Sequence, residues 1–294
     1  MAARVNYLNN KEMLEEIHLS KLSYCSLIDP LYQDEHYKYY DIIVRDLDEI
    51  NDETIQYAKE FRAQRLYQKK REEFKKLGFK PHEIKIKPDP NDILTDDLVF
   101  RVMTFDHIPL DPDKAEKKIK KAGDRHVKVN FPPFKHFIIR NGQFIEVLRS
   151  HWTGLKDDGE FCMNQGKMTY RLSKMFVHLT ERYAQRGNWR GYTYNDEMRS
   201  QALMQLAMVG LQFDESRSND PKPFAYYTAV VTTSFTRILN LEKKSQMIRD
   251  DLLIMAGSTP SFTRQVEHEM SNMDPIEPGE VRYIDPEKDE NTKS

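Results

Sequence analysis

Three amphipathic helical patterns follow one another between Thr169 and Arg249, and a chain that carries them in succession is committed to packing helix on helix there. Thr169 can cap the first, which sets Leu172, Phe176, Leu179 and Tyr183 on one face and ends at Gly187. Asn195 or Asp196 opens the second, with Met198, Ala202, Leu206, Val209 and Phe213 recurring at 4, 4, 3 and 4. Phe213-Asp214-Glu215 through Asp220-Pro221 breaks it. Pro223 then occupies a first helical turn, where its missing N–H costs nothing. The third pattern, Pro223 to about Lys244, carries two stripes. Phe224, Thr228, Val231, Phe235 and Ile238 make a core side, and Tyr226, Val230, Thr233, Arg237, Asn240 and Lys244 recur at 4, 3, 4, 3 and 4 on the other.

Upstream, Leu8 to Met13 reads as a helix start, with Asn9 as N-cap, Glu12 closing a capping box and Leu8 with Met13 as a hydrophobic staple. Leu14, Ile17 and Leu22 are expected inward, and the helix fades near Asp29-Pro30. From Asp34 the character changes. A charged helix is expected from roughly Asp52 to Leu77, stopped by Gly78 with Pro81 beyond. Its apolar positions, Ile55, Ala58, Phe61, Leu66 and Phe74, are sparse, which predicts a surface helix. Strand composition follows at Leu98–Val102 and His126–Phe131, and Phe137–Arg140 with Gln143–Val147 flank an Asn141-Gly142 hairpin turn. This stretch reads as a small α+β insert.

The chain of 294 residues holds one large domain or two modest ones, and two units are expected. A charged fraction of 31% beside 39% hydrophobic and 11% aromatic residues describes a folded, polar-surfaced protein. With a net charge of −2, any contact with nucleic acid must come from a local patch. Such patches exist: Lys59 to Lys87 and Lys114 to Lys128 are basic, whereas Glu267 to Ser294 is acidic and rich in Pro and Gly, a loose tail. Cys25 and Cys162 lie far apart with no CxxC spacing, which suits a reducing compartment and excludes a zinc ribbon. No run approaches the roughly 18 apolar residues of a membrane span. An intracellular protein without a membrane partner is expected.

No phosphate-binding loop, dinucleotide fingerprint, HExxH or nucleophile elbow occurs, so no enzyme and no cofactor are expected. His126, His136, His151 and Cys162 share one region, but their spacings match no metal-ligand pattern. The polar stripe of the third helix differs in kind. Tyr226 and Tyr227 can stack on unpaired bases, Thr232 and Thr233 can reach base edges or phosphates, and Arg237, Lys243 and Lys244 can neutralise backbone charge. From periodicity alone the same residues more readily describe half-buried tyrosines beside a solvated charged face.

The order of motifs carries a resemblance. Gly191-Tyr192-Thr193, Glu197-Met198, Gly210 through Glu215, Pro223-Phe224-Ala225-Tyr226, Phe235-Thr236-Arg237-Ile238 and Glu242-Lys243-Lys244 together resemble the late-transcription sigma factors of T-even-type bacteriophages. Asn6 through Leu14 is similar to the start of the same proteins, and the likeness covers about a third of the chain. More distantly, the three-helix stretch is similar to region 2 of bacterial sigma factors. The resemblance implies a three-helix, sigma region-2-like module at 167–250 to which the N-terminal helix of 1–33 belongs; with the small α+β insert at 34–166 and the acidic, loose C-terminal tail at 251–294 read from composition, the fold expected is mainly α. It implies that Glu197, Ser200 and Gln201 dock on the clamp helices of the largest subunit of host RNA polymerase core. It further implies that Tyr226, Tyr227, Thr228, Thr232, Thr233 and Arg237 face an A·T-rich minus-ten promoter element as it melts.

Three departures accompany the likeness. Ala229-Val230 stands near the place of the tryptophan pair of housekeeping sigma factors, the 34–166 insert has no counterpart in the compact phage form, and Val281-Arg282-Tyr283-Ile284-Asp285 is a weak version of the tail motif that engages the sliding clamp. The reading is a phage late sigma factor working in the cytoplasm of an infected bacterium, with a phage co-activator and the sliding clamp as further partners. The rival is a helical phage regulator or repressor that binds duplex DNA without polymerase; a third is an enzyme built on the insert's histidines.

Overall fold

The computed structural model describes residues 9–28, 30–32, 34–78, 88–111, 125–127, 129–150, 167–218 and 220–271. Among them the fold is mainly α, with six α-helices and one five-stranded sheet. The helices are α1 (Asn10–Leu22), α2 (Asp52–Lys76), α3 (Tyr170–Ala184), α4 (Asn195–Val209), α5 (Pro223–Met255) and α6 (Phe262–Ser271). The strands are β1 (Cys25–Leu27), β2 (Ile42–Val44), β3 (Phe100–Met103), β4 (Phe134–Arg140) and β5 (Gln143–Ser150). None of the described helices is long and apolar enough to cross a membrane.

The sheet runs β1-β5-β4-β3-β2, with β2 and β3 parallel and the other pairs antiparallel. Its centre is the expected hairpin. Asn141 at φ 51° and Gly142 at φ 75° supply the two left-handed residues that a two-residue turn between twisted strands requires. β1 and β2 were not expected, because three residues cannot display an alternation. Among the described residues of His126–Phe131 the expected strand does not form. Pro109, Pro132 and Pro133 remove donors from the two neighbouring stretches, and only a bridge between Leu110 and His126 remains.

Alternation in β3 assigns its faces. Phe100 joins Leu98, Ile93, Ala58 and Ala63 in an apolar cluster, so α2 covers one face of the sheet. The surface helix expected there is corrected in part: Phe61 and Phe74 are exposed, but the two alanines are buried and let the α2 backbone approach the strands closely. Arg62 and Arg65 also pair with Asp41, which itself accepts from the Val99 amide. Arg101, on the other face, is 1% exposed and meets α1 and the loop after α4.

α1 begins as expected, with Asn9 accepting from the Lys11 amide. Its capping-box partner is otherwise engaged, since Glu12 takes a 2.7 Å bond from Arg171. The inward face is broader and more polar than Leu14, Ile17 and Leu22: Met13, Glu16, Ile17, His18, Ser20 and Lys21 are buried. Thr169 caps α3 as expected and ties it to α1 through Glu16 (2.7 Å) and Ser20 (3.0 Å).

The chain separates into two compact units, 1–236 and 237–294. The sheet, α1, α3 and α4 all fall within the first. In the second, α5 continues past the expected Lys244 to Met255, and α6 occupies part of the expected loose tail. Gly257 at φ 74° ends α5, and Asp250 receives both the amide (2.8 Å) and the hydroxyl (2.6 Å) of Ser261 just before α6. Residues 272–294, with the Val281–Asp285 motif, lie outside the described residues.

Candidate nucleic-acid interface

Helix α4 presents its candidate residues as the pattern demands. Met198, Ala202 and Leu206 are fully buried, whereas Glu197 and Ser200 are exposed and Gln201 is half-buried. Ser200 spends its hydroxyl proton on the Asp196 carbonyl at 2.9 Å. Two residues escaped the sequence reading. Met204 and Met208, 55% and 63% exposed, continue the Glu197–Gln201 line at helical spacing and give it an apolar, adaptable end. An exposed methionine pair at i, i+4 was the available signal.

After α4, short helical turns at Gly210–Gln212 and Glu215–Arg217 lead to α5. Glu215 fixes this connection through a buried polar centre. Its carboxylate receives Lys21 Nζ at 3.0 Å, Arg101 at 3.1 Å and the Tyr40 hydroxyl at 2.9 Å. Lys21 also donates to the Phe213 carbonyl at 2.8 Å. Arg101 donates to His136 Nε2 and to His18 Nδ1, each at 3.0 Å, and lies between the Tyr40 and Phe134 rings. Burial alone would raise the Glu215 carboxyl, but the charges of Lys21 and Arg101 outweigh it and hold the group down to about 2. Burial, reinforced by Arg101, pushes His18 down to about 3, and burial likewise carries His136 well below its ordinary value, so both rings are neutral. The sequence signal for this centre was an arginine at an inward position of a strand.

The first turns of α5 separate the two tyrosines. Tyr227 is fully buried, its ring 4.7 Å from Phe176 and its hydroxyl donating to the Gly210 carbonyl. It takes the core position expected of Thr228 and leaves the set of DNA-facing candidates. Tyr226 is half-buried against Phe213, with ring centroids 5.5 Å apart, and burial raises its hydroxyl above the ordinary value. Thr228, half-buried, and Thr232 and Thr233, both exposed, donate to the carbonyls of Phe224, Thr228 and Ala229 at 2.7, 2.8 and 3.0 Å. In that state each hydroxyl offers solvent only acceptor lone pairs and a methyl group. Ala225, Ala229 and Thr236 are also exposed, so this face is low and smooth, with Tyr226 at one end. Arg217, 80% exposed at its side chain and paired with Asp214 at 3.1 Å, lies close enough to Tyr226 to act on its hydroxyl. Arg237, Lys243 and Lys244 fall in the second unit, where each is exposed.

Among the described residues no group of His, Cys, Asp or Glu is placed to hold a metal ion. His136 is committed to Tyr37 and Arg101, and His126 Nδ1 lies 2.8 Å from the Ile108 carbonyl. His151 and Cys162 lie outside the described residues. Burial pushes the Cys25 thiol up to about 12. Comparison with protein-family profiles, curated proteins and solved structures gives no match to this chain.

Proposed function

We propose that this protein is a promoter-recognition factor of the phage late sigma type, which binds host RNA polymerase core and opens an A·T-rich minus-ten-type element. The observation that carries the reading is the division of labour within the first unit. One helix, α4, turns an exposed Glu197–Gln201–Met204–Met208 line outward, and the next, α5, turns out Tyr226 with an acceptor-rich threonine face. The buried Glu215 centre holds the connection between them rigid, so a partner gripped by α4 would be set in fixed register with a strand gripped by α5. The motif order of the sequence supports the same assignment. Bond formation is left to the polymerase; in this reading the first unit contributes position and a half-buried tyrosine on which an unpaired base can stack.

Run-off transcription with purified core polymerase on an A·T-rich minus-ten template is the test. The expected result is a promoter-dependent start that requires this protein. Tyr226→Ala should abolish strand opening, read by permanganate reactivity of unpaired thymines, while leaving polymerase binding intact. Glu197→Lys with Gln201→Ala should weaken polymerase binding first. A protein that yields no promoter-dependent start, and instead protects one specific duplex site without polymerase, is a repressor and not a sigma factor.

A further inference from the structure

The turn between α3 and α4 takes no part in the contacts proposed above, and its composition sets it apart. In a chain where 31% of residues are charged, no Asp, Glu or Lys occurs from Arg182 to Asn195, and the charges there are Arg182, Arg186 and Arg190, each four residues after the last. All three are exposed, and none is ion-paired among the described residues. The acids on either side, Glu181 and Asp196, are met by Arg199 instead, at 3.7 and 2.9 Å. Aromatic rings are interleaved with the arginines. The Trp189 ring centroid lies 5.3 Å from that of the buried Phe235, Tyr192 lies 6.1 Å from Trp189, and Tyr194 lies 5.2 Å from Tyr192. A row of rings therefore runs from the core to the half-buried Tyr192 and Tyr194.

The turn is held in place. Asn195 Nδ2 donates to the Ala184 carbonyl at 3.3 Å and to the Trp189 carbonyl at 2.8 Å, and the Arg190 amide donates to the Arg186 carbonyl at 3.1 Å. The Arg186 guanidinium is steadied over the Tyr183 ring, 4.4 Å from its centroid. Gly187 and Gly191 directly follow two of the arginines. Neither has a left-handed φ, and a Cβ added at either would meet nothing within 4 Å. Neither packing nor turn geometry asks for glycine there; what glycine leaves is bare backbone that a ligand can approach closely. Arginine in place of lysine suits phosphate, because the planar guanidinium pairs with it bidentately and also stacks on rings. An acidic protein surface would match the charges but leave the rings and the bare glycines unused. A duplex keeps its bases stacked inside, whereas a single strand offers phosphates and base faces together.

We propose that the α3–α4 turn is a site for single-stranded nucleic acid, with Arg182, Arg186 and Arg190 on the phosphates and Tyr192 and Tyr194 against a base. This does not depend on the sigma reading, and its test needs neither polymerase nor promoter. Anisotropy of the full chain with fluorescent oligodeoxythymidine, taken across a salt series, gives the slope of log K against log salt. Arg182→Gln, Arg186→Gln and Arg190→Gln together should reduce that slope by about 2, at roughly 0.7 per phosphate contact on a single strand, and weaken low-salt binding roughly tenfold or more. The same three changed to Lys should retain the slope. Tyr192→Leu should weaken binding on the order of tenfold with the slope unchanged. Gly187→Ala with Gly191→Ala should keep the urea midpoint and still weaken binding, which a glycine kept only for the fold would not do. Repeating the glutamine set in a Tyr226→Ala background should give the same drop in slope, so that failure of the α5 contact is told apart from failure here. Oligouridine in the same assay tells RNA from DNA, the tighter strand being the ligand. An unchanged slope in the glutamine set overturns the proposal, as does the lack of any low-salt binding to either strand. So does tighter binding of a matched duplex, or equal competition by polyglutamate of matched charge, which would mean an acidic protein partner.

Discussion

Glu215 shares its burial with two cations, Lys21 and Arg101, and two neutral histidines, His18 and His136. Both histidines have folded values below the unfolded 6.5, so the unfolded chain takes up their protons first. Their contribution to stability is therefore complete above about pH 6.5 and is lost as the pH falls through the folded values, about 3 for His18 and well below the ordinary value for His136. Glu215 adds in the same direction lower down: its carboxylate stabilises the fold above 4.5, and that contribution is lost as the pH falls toward 2. Each unmatched proton is worth about 1.4 kcal/mol per pH unit. Urea unfolding between pH 6 and 4.5 should accordingly lose stability as the pH falls, about 1.4 kcal/mol per pH unit of it from His18. His18→Gln removes that share, while His36, His107 and His136, also held below their ordinary values by burial, keep the rest. A stability independent of pH across this range would mean that the histidines are charged in the fold.

At the scale of elements, the meeting of α4 with α5 turns on Gly210. A Cβ there would stand 2.7 Å from Cε2 of Phe176, whose ring already packs on Tyr227 at 4.7 Å and has little room to retreat. Gly210→Ala should therefore cost about 1–3 kcal/mol by overpacking, and Tyr227→Phe about 1 kcal/mol for its hydroxyl bond, both read as urea midpoints. Leu252→Gln, at a side chain 60% exposed, should leave the midpoint within about 0.5 kcal/mol. The contrast shows what the sequence made legible. Patterns at Leu172–Tyr183 and Met198–Leu206 span whole helices and leave one solution for the buried face. The start of α5 offers two: Thr228 and Tyr227 are about 100° apart, either continues to Val231, and only the hydroxyl's reach to Gly210 on another element decides. β1 and β2, three residues each, lie below any periodic signal and exist because longer strands lend them partners. On α4, core spacing puts Met204 and Met208 on the same outward side as Glu197 and Gln201, and their hydrophobicity is what hid them.

Across the whole molecule, the stretch that looked like an insert is bound into the helical core by charge. Arg101 of β3, His18 and Lys21 of α1 and Glu215 beyond α4 close one buried network, in which the Lys21–Glu215 bond joins residues 194 positions apart. If 34–166 were a separate domain, loosening Arg101 would loosen the sheet alone. If the network makes 1–236 one cooperative body, α3 and β4 must open together. Arg101→Met keeps bulk but removes two donors to the histidines and one charge from Glu215, and breaking a buried pair in this way costs about 3 kcal/mol. In native-state hydrogen exchange the slowest amides of β4 and β5 and those of α1 and α3 should then all speed up by the same factor, on the order of 100-fold. Amides that accelerate in the strands while α3 stays protected would instead divide the unit at the boundaries expected from composition. A common factor would mean that α4 and the start of α5 owe their fixed register to a sheet outside the helical module.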